Sequence, residues 1–199
     1  MTLLACVSLD IKQRSIDEVW QNLQTSLAPA DNIEPVAMGI IFETYDIMVF
    51  LSCGDIDKLT YYIINRMRSI KGVTETTVFF INEMNIIEHE NLDIVEPGLD
   101  GLLLIDAECG KDVYVYEKIQ EHIGPEKEKT CTKFISYCLH SQNLDLLVGF
   151  KGFNLYYLDQ MFSKIRLIDG VIDILVLMFS RFTTLMEMED IEKRFPWFV

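Results

Sequence analysis

The sequence is short of positive charge. Seventeen lysines and arginines stand against 31 aspartates and glutamates, a net charge of −14 over 199 residues. A surface that neutralises nucleic-acid phosphates needs clustered cations. The densest group is Arg66, Arg68 and Lys71, at the end of an expected helix where cations suit the helix dipole. Direct nucleic-acid binding is therefore not expected. Long apolar runs are missing too: the most apolar late stretch is broken by Asp173, so no membrane span is read. The five cysteines (Cys6, Cys53, Cys109, Cys131, Cys138) are odd in number, and no two form a Cys-x-x-Cys pair. That argues for reduced thiols in a cytoplasmic protein rather than a disulfide frame. The start, "MTLLACVSLDIKQ", has neither the basic region nor the long apolar run of a signal peptide. Glycine-rich phosphate loops, Gly-x-Ser-x-Gly and His-Glu-x-x-His are absent, and His89, His122 and His140 lack partners at ligand spacing. Cys138 and His140 would share one face of a strand, yet nothing completes a metal site or catalytic set around them. On these grounds no metal, no cofactor and no enzymatic activity are expected.

Half of the residues are hydrophobic, ample for a core. Thr2 to Ser8 reads as a strand. Ser15 and Glu18 have the spacing of a capping box, followed by Ile16, Val19, Trp20, Leu23 and Leu27 at helical intervals. "EPVAMGIIFE" and "YDIMVFLS" read as a hairpin. Asp55 is placed to cap a second helix, with Leu59, Tyr62, Ile63, Met67 and Ile70 as its apolar stripe and Gly72 where a left-handed residue closes it. "TETTVFFIN" is the last strand of a βαββαβ unit.

The same order then recurs. "GLLLIDAE" matches "TLLACVSL" at an offset of 99, and "LDLLVGF" matches "YDIMVFL" at the same offset (Asp145 against Asp46). A helix is expected over about 114–123, and "KTCTKFISYCLH" reads as a strand. Leu158, Met161, Ile165 and Ile168 give a helical stripe closed by Gly170, and "VIDILVLMF" follows. Gly72-Val73 and Gly170-Val171 lie 98 apart, which places a one-residue deletion in a loop. Two ferredoxin-like units in tandem are expected, over 1–95 and 96–199, an internal duplication. "NLDIV" within the acidic junction reads as an extra edge strand, and the tail from Thr183 starts helix-like. The strands are apolar on both sides, as in "IMVFL" and "DLLVGF". Helices cover one face of such a sheet, so the expected α+β arrangement packs the antiparallel sheets face to face, as a pseudo-dimer within the chain or in an oligomer.

The run "YDIMVFLSCGDIDKLTYYIINRMRSIKGVTETTVFFI" resembles the ligand-binding and assembly (RAM) domain of the leucine-responsive regulator/AsnC family. Asp46 matches that family's turn aspartate, and Gly72, Val73 and Thr76 match its later motif. In the second repeat Asp145, Gly170 and Val171 match, while Glu43 and Gln142 replace the turn glycine. The resemblance implies a small effector, such as an amino acid, held near Tyr45, Asp46, Gly72, Val73, Thr76, Asp145 and Gly170. The residues also admit a plainer reading, in which the aspartates cap turns and the glycines end helices. Family members begin with a helix-turn-helix domain, for which this chain leaves no room. The expectation is thus a transcription-regulation module for sensing and oligomerisation, without its own DNA reader. Its partners would be itself, an amino-acid-like effector or a DNA-binding relative. The alternatives are a structural co-assembly subunit and an enzyme of ferredoxin-like fold.

Overall fold

A computed structural model describes residues 3–12, 14–42, 46–86, 99–123, 132–139, 145–150 and 155–195. Tyr45, Glu43, Gln142, His89, His140, Cys131 and the "NLDIV" stretch lie outside the described residues.

The chain divides into two compact units, 1–81 with 179–191, and 82–178 with 192–199. In the first, β1 (Leu3–Ile11), α1 (Ile16–Ser26), β2 (Ile33–Ile41), β3 (Ile47–Cys53), α2 (Ile56–Ile63), a π turn (Ile64–Arg68) and β4 (Val73–Ile86) follow in order. β3 pairs antiparallel with both β1 and β2, and β1 also pairs with β4. The helices bury Val19, Trp20, Leu23, Leu59, Tyr62, Ile63 and Met67 against Ala5, Val7, Leu9, Met38, Val49 and Leu51. Each such side chain contributes about 1.5–3 kcal/mol by leaving water. Asp55 does cap α2, accepting from the amides of Asp57 (3.0 Å) and Lys58 (3.3 Å). The capping box expected at Ser15 does not form: its side chain makes no cap bond. Gly72 packs there instead, at φ +109°, and a Cβ on it would lie 2.9 Å from Ser15 Cβ.

The second unit runs β5 (Gly101–Ala107), α3 (Asp112–Ile123), β6 (Thr132–Leu139), β7 (Leu146–Phe150), α4 (Leu155–Arg166) and the first part of β8 (Val171–Thr184), whose later part from Phe179 belongs to the first unit with the start of α5 (Met188–Arg194). Val115, Ile119, Leu158, Met161, Ile165 and Ile168 pack on Leu103, Ile105, Ile135, Leu146 and Val148.

The expected pair of separate ferredoxin-like sheets packed face to face is not what forms. The hydrogen-bonded order β1-β3-β2-β8-β5-β7-β6-β4 closes on itself as a barrel. The reason lies in strand length. β4 and β8 each run 14 residues, past the Asn82 and Phe179 where the sequence reading stops them. Val171–Met178 of β8 pairs with β5, and Phe179–Thr184 goes on to pair with β2. A strand that keeps pairing leaves no open edge. All seven residues of β3 are buried.

Ladder register corrects the alignment of the repeats. β1 bulges between Asp10 and Ile11, and β5 between Asp106 and Ala107. The amide of Lys12 donates to Gly72 O (2.9 Å), as Glu108 does to Gly170 O (2.7 Å). The first strands therefore correspond at an offset of 96, not 99. The difference of three is odd, and an odd slip exchanges the two faces of a strand. At 96, buried Val7 and Leu9 fall on buried Leu103 and Ile105, on the helix-covered face in each unit.

Candidate functional site

Polar chemistry collects where the first strand of each unit bulges. A bulge leaves a backbone amide outside the ladder, and a part-buried amide needs an acceptor. In the first unit Asp46 Oδ1 accepts from Ile11 N at 3.4 Å. In the second, Asp145 Oδ2 accepts from Ala107 N at 2.8 Å. The Asp145 backbone is itself fixed, its amide donating to Ile105 O (2.9 Å) and its carbonyl accepting from Cys138 N (2.8 Å). Beside each bulge stands a second aspartate, Asp10 or Asp106, directly across the ladder from a third acid, Glu75 or Asp173.

The second copy is the more tightly built. The half-buried Asp106 side chain hydrogen-bonds to Asp145. Burial pushes its carboxyl above the ordinary carboxylate range, and the charge of Asp145, that hydrogen bond and the charge of Asp173 add to the shift. The nearby Cys138 thiol is pushed up to about 12, by burial first and by the Asp145 charge second. It therefore stays a thiol at neutral pH and is a poor nucleophile. The arrangement makes the Asp106 carboxylate a stronger base than a solvated aspartate.

The residues singled out in the sequence divide between the two units. Asp46, Gly72 and Val73 gather around the end of β1, where Gly72 O takes the Lys12 amide and Val73 N donates to Ile70 O (3.2 Å). Thr76 lies further along β4, opposite Leu9, its hydroxyl taking a hydrogen bond from Arg68 Nε. Asp145 and Gly170 stand at the matching places in the second unit. Sequence reasoning missed Asp10, Glu75, Asp106 and Asp173. The signal was present: "LDIK" at 9–12 and "IDAE" at 105–108 align once the offset is 96. Among the described residues no group of three His, Cys, Asp or Glu side chains is arranged to hold a metal ion, and no helix is long and apolar enough to cross a membrane.

By sequence the chain matches no protein-family model and no curated protein. By structure it is similar to an anthrone oxidase-like protein, with TM-score 0.63 at 5% identity over 93% of this chain and 94% of the other. It is also similar to a mutant chlorite dismutase from Candidatus Nitrospira defluvii in complex with cyanide (TM-score 0.59, 7% identity, 90% and 91% covered). A third similar structure is a siroheme decarboxylase in co-complex with an iron-uroporphyrin III analogue (TM-score 0.59, 8% identity, 91% and 72% covered). At these identities the likeness establishes the fold. It overturns the resemblance to the leucine-responsive regulator/AsnC domain. With that go the transcription-regulation and amino-acid-sensing reading, the co-assembly alternative and the expectation of no enzyme, because the fold found is one that enzymes use. The amino-acid effector and the DNA-binding relative rested on that resemblance and lapse with it.

An iron tetrapyrrole of the kind in the decarboxylase complex needs an axial donor and cations for its acid groups. Here His122, the one described histidine, is exposed in the last turn of α3. The Cys138 thiol is held protonated. The helix-covered face of the second sheet is filled by apolar side chains, with Tyr116 stacked on Tyr137 at 4.6 Å. The described residues do not fit such a group.

Proposed function

We propose that this chain is an enzyme that removes a proton from a carbon acid, with Asp106 as the base and Asp145 as the residue that orients it. The observation that carries this reading is the hydrogen-bonded Asp106–Asp145 pair, in which Asp106 is a stronger base than a solvated aspartate. Asp145 is in turn fixed by the Ala107 amide, so the pair is pre-positioned. The substrate class is a keto or phenolic carbon acid of the anthrone kind, taken from the similar anthrone oxidase-like structure. Asp106 takes the C–H proton and the resulting carbanion gives its electrons to dioxygen. In sum, anthrone and one O2 give anthraquinone and one water.

Self-association belongs to the same reading, supported by the exposed apolar side chains Ile56, Tyr61 and Ile64 along α2 and its π turn. A cytoplasmic setting is supported by the cysteines Cys6, Cys53, Cys109 and Cys138, which stand outside any disulfide.

Oxygen uptake with anthrone as probe tests the function, against a protein-free blank. Catalysed uptake is expected, reduced roughly 100-fold or more in Asp106→Asn and kept in Asp10→Asn of the first repeat. Uptake no faster than the blank, or an undiminished Asp106→Asn, overturns the reading.

A further inference from the structure

The π turn in the first unit has a specific address. Core positions of α2 and its continuation are Leu59, Tyr62, Ile63 and Met67, with Ile70 partly buried against them. Those of α4 and its continuation are Leu158, Met161, Ile165 and Ile168, with Phe162 partly buried. Leu59, Tyr62 and Ile63 correspond to Leu158, Met161 and Phe162 at an offset of 99. Met67 and Ile70 correspond to Ile165 and Ile168 at 98. The offset therefore changes between Ile63 and Met67, where the chain forms the π turn Ile64–Arg68. The second repeat, one residue shorter across this interval, runs α-helical from Leu155 to Arg166.

An uninterrupted α-helix with Leu59, Tyr62 and Ile63 on its inner face would next place Arg66 on that face. Burying an unpaired guanidinium is costly, whereas burying a methionine is favourable. The π turn adds one residue to the loop, so that Met67 is fully buried and Arg66 is exposed. Arg66 then meets the end of α1, its Nη1 donating to Ser26 O (3.4 Å) while its carbonyl accepts from Ser26 Oγ (3.5 Å). That hydroxyl supplies a partner at the place where α-helical bonding is interrupted.

We propose that the π turn is a single inserted residue stored in the helix, and that Ile64–Arg68 is a register-adjusting device. The segment can lose one residue and close to an α-helix while the core on either side keeps its contacts. Duplicated units can diverge in length at such a point without repacking. The proposal stands independently of the enzymatic reading.

Deletion of Asn65, which is exposed, is the test, with deletion of Asn22 in the regular helix α1 as the control. In urea unfolding, the Asn65 deletion is expected to keep the wild-type midpoint, and the Asn22 deletion to lower it by turning Leu23 off the core. Met67→Ala made in the Asn65-deleted chain reads the register: it should lower the midpoint as much as Met67→Ala does in the intact chain. An Asn65 deletion that unfolds the protein, that costs as much as the Asn22 deletion, or that makes Met67→Ala silent overturns the proposal.

Discussion

Replacing Gly72 by alanine probes the closest approach in the first unit. Two costs combine. Gly72 sits at φ +109°, a region that costs an L-residue about 1–2 kcal/mol. The new Cβ would also lie 2.9 Å from both Ser15 Cβ and Val19 Cγ2. Val19 is fully buried in the first turn of α1, so the overlap is relieved only by moving the helix. Overpacking of this kind costs about 1–3 kcal/mol, which brings Gly72→Ala to about 2–5 kcal/mol. Gly170 is its counterpart at φ +96°, but there the nearest atom is Lys111 Cδ at 2.7 Å, the movable part of a side chain. Moving it disturbs the exposed, solvent-screened pairs of Lys111 with Glu108 and Asp169, while Lys111 Cβ at 3.0 Å and Val115 Cγ2 at 3.3 Å need give by only a few tenths of an ångström. Gly170→Ala should thus cost about 1–3 kcal/mol. Gly110, at φ +85° with nothing within 4 Å of a Cβ, isolates the backbone cost at about 1–2 kcal/mol. Urea unfolding of the three variants should rank them Gly72→Ala, Gly170→Ala, Gly110→Ala from most to least destabilised. If Gly72→Ala costs no more than Gly110→Ala, the packing of α1 on this turn is wrong.

Asp106→Asn should change the pH dependence of stability. Folded Asp106 keeps its proton to a higher pH than the unfolded chain does, so wild-type stability falls as pH rises from the ordinary carboxylate range through the raised folded value. The variant lacks that loss and should gain on wild type between acid and neutral pH in denaturation midpoints; a pH-independent difference would refute the linkage. Asp145→Ala removes a 2.8 Å charge-assisted bond to a part-buried amide and should cost about 1.5–3 kcal/mol. Asp46→Ala, which removes one of 3.4 Å, should cost less, and equal costs by urea unfolding would refute the ranking. With its pKa near 12, Cys138 carries a thiolate in only about 10⁻⁴ of molecules at pH 8. Iodoacetamide followed by peptide mass spectrometry should find it far slower than the exposed Cys109, and comparable rates would place Cys138 outside its half-buried position.

The elements were legible because each rests on local chemistry. Val19, Trp20 and Leu23 are buried at the helical spacing that marks them in the sequence, and Asp55 caps α2 as its position implies. Gly72 and Gly170 have the positive φ that a helix-ending glycine supplies. Strand ends were less legible. Apolar residues up to Phe179 look complete as one strand, and nothing local announces that Ser180–Thr184 will find β2. The Asp106–Asp145 pair was half legible. Asp145 stood out as a repeated turn residue, while Asp106 was hidden by a three-residue misalignment that no local pattern corrects, since either register keeps the strand apolar.

Capping, glycine turns and apolar periodicity act over a few residues, so the order of helices and strands, their repetition and the faces the helices bury are written locally in the chain. Tertiary structure decided the rest. Closure of the strands into one ring depends on partners more than 130 residues apart, as in Ile41 with Phe179. The raised pKa of Asp106 depends on three acids from β5, the turn into β7 and β8 meeting at one bulge. Such encounters are fixed by register, and register is settled only when both strands are in place.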